Sequence, residues 1–161
     1  MLYGNILYHF QGGHLTVVSD NHYIRKISFG KRELAEDHVE APGHWLLLKA
    51  EQQLMEYFDG VRTAFDLPYQ IHGTDFQKSV WDALSKIPYG TVKTYGTIAK
   101  ELGSLKASRA VGGACNKNPI AIVIPCHRVV GSNGNLTGFA GGLTVKEKLL
   151  QLERQYTGRF K

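Results

Sequence analysis

Ile122-Val123-Ile124-Pro125-Cys126-His127-Arg128-Val129-Val130-Gly131 is an apolar run stopped by a proline, followed at once by a cysteine and a histidine, and then by a second apolar run. The first run reads as a buried strand. Proline removes a backbone donor, so ladder pairing is expected to stop just before Cys126. Apolar, β-branched residues on both sides would hold the thiol rigidly, which is what a nucleophile needs. Cys126 is therefore the candidate reactive group, and the remainder of the chain is searched for what would activate it and what would be brought to it.

The chain has 161 residues, enough for one good core or two small ones. Its 43% hydrophobic and 20% charged content is that of a globular protein. No apolar run has the length of a membrane span, and Met1-Leu2-Tyr3-Gly4-Asn5 lacks the basic and apolar blocks of a signal peptide, so the expected location is the cytoplasm. Two cysteines occur, Cys115 and Cys126, outside any CxxC or zinc pattern; a reducing compartment would keep both as thiols. The net charge of +5 is unevenly spread: residues 1–73 carry −3 and residues 74–161 carry +8. A basic half suggests a polyanionic partner, although charge alone does not separate that from a solvated basic surface.

In the first half, Tyr3–Phe10, Leu15–Ser19 and Tyr23–Phe29 read as an antiparallel meander with turns at Gly12-Gly13 and Asp20-Asn21. The charged segment 31–43, ending at Pro42-Gly43, reads as a loop or an irregular crossing. Trp45, Leu48, Gln52, Met55 and Tyr57-Phe58 fit an amphipathic helix closed by Asp59-Gly60, and Phe65 to Leu67 suggest a further strand. His9, His14, His22, His38, His44 and His72 lack metal-ligand spacing. This half reads as a scaffold.

The second half opens on a capping box, Thr74-Asp75-Phe76-Gln77, before a helix with Phe76, Val80, Trp81 and Leu84 on one face. Thr94 is placed to cap a second helix from Tyr95 to Leu102, and Gly103 turns the chain into a third, Lys106 to Asn116. Helix, short glycine-containing turn, helix is the outline of a helix-turn-helix, and also of any αα-hairpin in a core. Composition tips the balance. Ala107-Ser108-Arg109-Ala110-Val111-Gly112-Gly113-Ala114 is almost all small residues around one arginine, and each interior glycine costs about 1 kcal/mol relative to alanine. Such a helix suits close approach to a nucleic-acid groove, with Arg109 reaching inward. Asn118-Pro119 reads as a turn, and the glycine-rich 131–142 segment as a pocket wall or lid. Thr144-Val145-Lys146-Glu147 reads as a second capping box, opening a helix whose apolar face is Val145, Leu149, Leu152 and Tyr156. The tail from Thr157 is expected to fray.

A thiol reacts as thiolate, and a free one has a pKa of roughly 8.5, so a base or cation is required. His127 is the nearest base, and adjacency in sequence points to a bridging water. A histidine base is normally oriented by an acid. At about 100° per residue, Glu153 falls beside Leu149 and Tyr156 while Glu147 points to the far side, so Glu153 is the expected partner. Cys, His and Glu together read as an activated thiol, and on these residues alone a cysteine hydrolase and an alkyl acceptor are equal readings.

Residues 74–153 resemble the O6-alkylguanine-DNA alkyltransferases, through Ile124-Pro125-Cys126-His127-Arg128-Val129, Arg109-Ala110-Val111-Gly112-Gly113-Ala114, Asn118-Pro119, Gly141-Gly142-Leu143 and Leu149-Leu150-Gln151-Leu152-Glu153. Residues 1–73 match only in general pattern. The resemblance implies an α/β (α+β) fold. Residues 1–73 would form an antiparallel sheet with a helix, ribonuclease H-like, and residues 74–161 a helical domain with a winged helix-turn-helix. It implies stoichiometric, irreversible transfer of an alkyl group from guanine O6, and from thymine O4, to Cys126. His127 would act as base through water, oriented by Glu153, Tyr95 would donate a proton to the leaving base, and Asn118 would be a hinge. DNA contacts would come from Ala107, Ser108, Arg109, Ala110, Gly112, Gly113 and Cys115, with Thr94 and Arg128; Val129, Phe139 and Ala140 would line the pocket. Base flipping is required because a buried thiol cannot reach the O6 substituent inside a duplex.

Phe139-Ala140 departs from the tyrosine-serine of some relatives, and Cys115 stands where a bulkier residue is common. The first half has no cysteine for the structural zinc of some members, so no metal and no cofactor are expected. The expected partner is double-stranded DNA containing alkylated guanine, bound by a monomer, with cooperativity on DNA left open. The alternatives are a lesion sensor using the same helix-turn-helix without turnover, and a Cys-His-Glu hydrolase.

Overall fold

A computed structural model describes residues 1–8, 13–30, 38–104, 106–136, 139 and 142–157. The expected turn at Gly12, the loop residues 31–37, Ala140 with its neighbours 137, 138 and 141, and the tail 158–161 lie outside the described residues. The chain forms two compact units, residues 1–71 with 119–121, and residues 72–118 with 122–161.

The first unit is built on a four-stranded sheet: β1 (Leu2–Tyr8), β2 (His14–Ser19), β3 (Ile24–Phe29) and β4 (His38–Glu40), in the order β3-β2-β1-β4. β1, β2 and β3 pair antiparallel as the meander predicts. β4 pairs parallel with β1, inside a segment read from sequence as loop. Three residues in a charged stretch carry no period, so only their pairing with β1 identifies them as a strand.

Helix α1 (Trp45–Phe58) packs on β1 and β2. His44 caps it, Nδ1 accepting from the Leu46 amide. Its buried face is Leu46, Leu47, Ala50, Gln53, Leu54, Tyr57 and Phe58, whereas Trp45, Leu48 and Met55 are exposed. The helix is where the sequence puts it, but most of the expected core face points outward, because two apolar stripes compete on this helix. Phe65–Leu67 is not a strand. The Gln53 side-chain amide instead holds that segment, donating to the Asp66 carbonyl at 3.0 Å and accepting from the Asp66 amide at 2.9 Å. Residues 119–121 also join this unit: the Ile27 amide donates to the Pro119 carbonyl, and the Ala121 amide to the Ile27 carbonyl.

The second unit is helical. α2 (Asp75–Ser85) begins at the predicted capping box, Thr74 and Gln77 exchanging hydrogen bonds at 3.0 and 3.1 Å. Val80, Trp81 and Leu84 are buried, while Phe76 is 38% exposed and outside the core. α3 (Tyr95–Glu101) and α4 (Ser108–Asn116) form the helix-turn-helix pair, both packed on α2. Trp81 Nε1 donates to the Ala114 carbonyl at 2.9 Å and fixes α4 on α2. β5 (Lys93–Thr94) pairs parallel with β6 (Val129–Val130). α5 (Leu143–Tyr156) closes the unit; its N-cap is Gly142, without a side-chain hydrogen bond, so the expected Thr144–Glu147 capping box does not form. Glu147 is exposed and accepts from Gln151 instead.

Gly73 is required by close approach. A Cβ there would stand 2.7 Å from two carbons of the buried Trp81 ring and 2.8 Å from Gln77 Oε1 of the capping box. Neither the ring nor the box can yield without losing its own bonds. Gly73→Ala is expected to destabilise the second unit by about 1–3 kcal/mol, read as a lowered urea midpoint by Trp fluorescence.

Candidate active site

The stretch that carries Cys126 is not a strand. Ile122 and Val123 lie in a turn, and Ile122 has φ +70°, left-handed and rare for a β-branched residue. The side chain is 2% exposed, so burial holds a conformation that costs about 1–3 kcal/mol. Pro125, at φ −83° and ψ 64°, then makes an inverse γ-turn closed by the Cys126 amide on the Ile124 carbonyl at 2.8 Å. Cys126–Arg128 is a 3-10 turn leading into β6. An apolar run bounded by proline suits a buried turn as well as a strand, and periodicity cannot tell them apart. Cys126 is nonetheless buried, at 7% exposed.

Asn118 secures this turn. Its Nδ2 donates to the Ile124 carbonyl at 2.7 Å, the same oxygen that accepts from the Cys126 amide. Burial pushes the Cys126 thiol above its ordinary pKa, opposed by a hydrogen bond with the Asn118 side chain and by the charge of Lys146. Burial thus favours the neutral thiol over the thiolate, and activation calls for a base.

His127 and Glu153 meet as the helical geometry predicts. Both are buried, with Nε2 2.5 Å from Glu153 Oε2. Burial would raise the Glu153 carboxyl, but hydrogen bonds and charge from His127 and Arg128 outweigh it and hold the group well below the usual carboxylate range. Burial pushes His127 down, against the pull of Glu153. The stable resting pair is a carboxylate and a neutral imidazole.

Arg128 is not a surface contact for DNA. It is 6% exposed; Nε and Nη2 donate to the two Glu153 oxygens at 2.8 and 3.1 Å, and Nη1 to the Ile87 carbonyl at 2.8 Å. Its charge is consumed in solvating Glu153. Cys115 is also removed from the DNA-facing set. It follows Val111 and Ala114 on the inner side of α4, is 6% exposed, and its thiol is pushed up to about 12, chiefly by burial. Thr94 uses its hydroxyl to cap α3, accepting from the Thr97 amide at 3.0 Å.

On the outer side of α4, Arg109, Ala110 and Gly113 are exposed, and Ala107, Ser108 and Gly112 half-buried. A Cβ at Gly113 would meet nothing within 4 Å, and one at Gly112 only the Tyr95 ring at 3.9 Å. Among the described residues no packing contact requires either glycine. Val129 is fully buried in β6, Phe139 is half-buried, and Ala140 lies outside the described residues.

Two contributors escaped the sequence reading. The Gly90 amide donates to Glu153 Oε1 at 3.0 Å. Gly90 has φ +78°, and a Cβ there would collide with the Thr157 side chain. Lys146 is completely buried and donates from Nζ to the Tyr95 hydroxyl at 3.4 Å. Its spacing from Glu153, two helical turns on one face, was the available signal. Among the described residues no cluster of three His, Cys, Asp or Glu could hold a metal ion, and no helix is long and apolar enough to cross a membrane.

A buried thiol, a histidine held by a buried carboxylate and a helix-turn-helix pair thus stand in one unit, the features of a cysteine protein with a nucleic-acid-binding outline. Residues 75–155 match the family model of the 6-O-methylguanine DNA methyltransferase DNA binding domain, and residues 2–71 that of its ribonuclease-like domain. The Methanosarcina acetivorans methylated-DNA–protein-cysteine methyltransferase is 48% identical over 146 residues, covering 88% of this chain and 92% of its own. The crystal structure of Mycobacterium tuberculosis O6-methylguanine methyltransferase superposes with a TM-score of 0.88 at 38% identity, covering 97% and 94% of the two chains. That of Mycobacterium tuberculosis OGT in complex with DNA gives 0.86 at 39% identity, covering 96% and 93%. The chain belongs to the 6-O-methylguanine DNA methyltransferase family.

Glu153→Gln leaves Arg128 buried without its counter-charge and is expected to cost about 3–5 kcal/mol at pH 7. A carboxyl held below its ordinary value of 4.5 contributes stability above that pH and loses it as pH falls. Urea titrations of both proteins should therefore converge progressively below about pH 4.5; a difference that stays constant into acid would contradict the ionised carboxylate.

Proposed function

We propose that this chain repairs DNA by direct, irreversible transfer of an alkyl group from guanine O6 to Cys126, one protein consumed per lesion. The observation that carries the reading is the buried Cys126 followed by His127, whose imidazole is 2.5 Å from the buried Glu153 carboxylate. Cys126 is the acceptor. His127 takes its proton through a bridging water, and Glu153 fixes the imidazole and stabilises its cation. Tyr95 donates a proton to the guanine as negative charge gathers there, a contribution of about 10²- to 10⁴-fold. Asn118 sets the position of the thiol through the Ile124 carbonyl. The same chemistry extends to O4-alkylthymine, where an oxygen in the same setting leaves from a ring that can accept a proton.

A thiol this deeply buried cannot reach a base in the stack, so the nucleotide is flipped out. Arg109 is the exposed long cation on a helix otherwise lined by small residues; it fills the stack while α4 lies against the minor groove. In this reading residues 74–161 are the DNA-binding and alkyl-acceptor domain, and residues 1–73 its scaffold. One chain carries every group named, so a monomer suffices. The cytoplasm suits it, since a reducing compartment keeps Cys126 reduced.

The test is an oligonucleotide duplex carrying O6-methylguanine, followed by intact and peptide masses. A gain of one methyl on the Cys126 peptide that stops at one equivalent is expected, and Cys126→Ala should bind the duplex without gaining mass. Tight binding with no adduct would favour the sensor reading, and turnover of an ester or amide the hydrolase. Arg109→Ala should slow repair of duplex DNA at least tenfold while leaving transfer from the free modified base within twofold. Equal rates on the duplex would remove Arg109 from flipping.

A further inference from the structure

Arg128 is a buried charge that the contact between His127 and Glu153 does not itself require. Glu153 Oε2 lies 2.5 Å from His127 Nε2, and the Gly90 amide holds the other oxygen, Oε1, at 3.0 Å. Burying a guanidinium carries a desolvation penalty that an apolar side chain of similar size would avoid. Yet Arg128 is 6% exposed, donates to both Glu153 oxygens and to the Ile87 carbonyl, and lies with its guanidinium carbon 5.7 Å from the centroid of the Tyr89 ring. A cation fixed on so many sides calls for a reason beyond packing.

The charge balance of the buried site supplies one. An ionised carboxylate only accepts, so Nε2 carries the hydrogen of a neutral imidazole and Nδ1 is its basic atom. With Arg128 in place, carboxylate and guanidinium cancel, and a neutral imidazole completes an uncharged cluster. Without Arg128, the buried carboxylate would draw one more proton onto the His127–Glu153 pair, and the base would be occupied before the thiol could use it. Resting on the alkyl-transfer reading above, we propose that Arg128 is a positioning residue for the base: its charge offsets Glu153, so that His127 is held as a proton acceptor when the alkyl donor arrives. Glu153 decides where the imidazole points, and Arg128 decides whether it is ready. In the transfer the Cys126 sulfur bonds the alkyl carbon as the carbon–O6 bond breaks, and that electron pair stays with guanine. Guanine takes a proton from Tyr95, the thiol proton passes to His127, and the imidazolium returns it through solvent to the Tyr95 oxygen.

The other charged groups around His127 do not replace Arg128. Burial lowers His127 most, Glu153 pulls it up, and Arg128 presses it down ahead of Lys146, which sits two turns earlier on α5. Cys126, on the same turn, is favoured as the neutral thiol. α2, which packs on that turn, buries Val80, Trp81 and Leu84 and leaves Lys78 and Asp82 exposed.

The test reads two quantities as functions of pH. One is the protonation of His127 itself, from the imidazole carbon-13 shifts of the labelled protein without DNA. The other is the rate of methyl transfer from a duplex carrying O6-methylguanine. In the unaltered protein both midpoints are expected below the ordinary histidine value of 6.5. Arg128→Met should raise both by about one pH unit or more, so that transfer is lost first on the acid side. Arg128→Lys keeps the charge and loses the fork; it should leave both midpoints within about half a unit of the unaltered protein, even where transfer is slower. Adding Glu153→Gln to Arg128→Met removes both charges and should bring the His127 midpoint back to the unaltered value or below. Should Arg128→Met not fold, the lysine variant and the double variant decide. A rate lowered equally at every pH with unmoved midpoints, a lysine variant shifted as far as methionine, or a double variant whose midpoint stays raised would overturn the proposal. Failure of the unaltered protein to take a methyl from the duplex at any pH would instead remove the alkyl-transfer reading, and would be recognised as such because the His127 shifts are read without DNA.

Discussion

The Glu153 carboxylate is the group on which the second unit depends. It is 1% exposed, and removing an ionised carboxylate from water carries an effective penalty of several kcal/mol. Donors from separate parts of the chain offset that penalty: His127 and Arg128 from the 3-10 turn, and the Gly90 amide from the loop after α2. Arg128 in turn holds the Ile87 carbonyl in the same loop. One side chain on α5 therefore fixes the turn that carries the thiol and the loop that leads to β5. An apolar replacement of the pair could match its stability, but it would leave the imidazole without an orienting group. The ion pair makes sense as a device for placing His127, with cohesion of the unit as its second effect.

Reactivity and rest are separated by the same burial. The thiol, the imidazole and the lysine are all pushed toward their neutral forms, while the carboxylate alone is held strongly ionised by its partners. A protein that spends its acceptor irreversibly gains from a thiol that is unreactive until the correct alkyl donor is in place. In the proposed transfer, charge develops only once the donor is in place, so selectivity comes from desolvation and geometry rather than from a standing thiolate.

What the sequence discloses follows from how local each signal is. The Thr74–Gln77 box and the Thr94 cap are decided within four residues, and both form as read. Glu153 was separable from Glu147 because helical periodicity distinguishes a buried stripe from a solvated one. The misreadings arose where residue type stood in for context. Arg128 is a cation, which by default faces solvent or a polyanion, yet it is buried, as is Lys146, which the sequence did not single out. Trp45, Leu48 and Met55 are apolar, which by default face a core, yet they are exposed because Leu46, Leu47 and Leu54 supply the stripe that the sheet covers. Ile122–Ile124 has strand composition and turn geometry, a difference fixed by the hydrogen bonds of residues on either side.

The register between thiol and phenol is set by unusually little regular structure. β5 and β6 share only two residue pairs, Lys93 with Val129 and Thr94 with Val130. Cys126 ends three residues before the first pair begins on one strand, and Tyr95 follows directly after the second pair on the other. Two pairs do not hold a register by themselves, since a sheet of this size is not independently stable. The register is held from outside: by the Thr94 cap, which fixes where α3 starts, and by Asn118 and Glu153, which fix where the 3-10 turn sits. Each of these is a polar contact to a specific atom, and a slip of one residue would break all of them at once. Precision at the reacting atoms thus comes from satisfied polar groups at the ends of short elements, with the apolar core supplying the rigidity behind them.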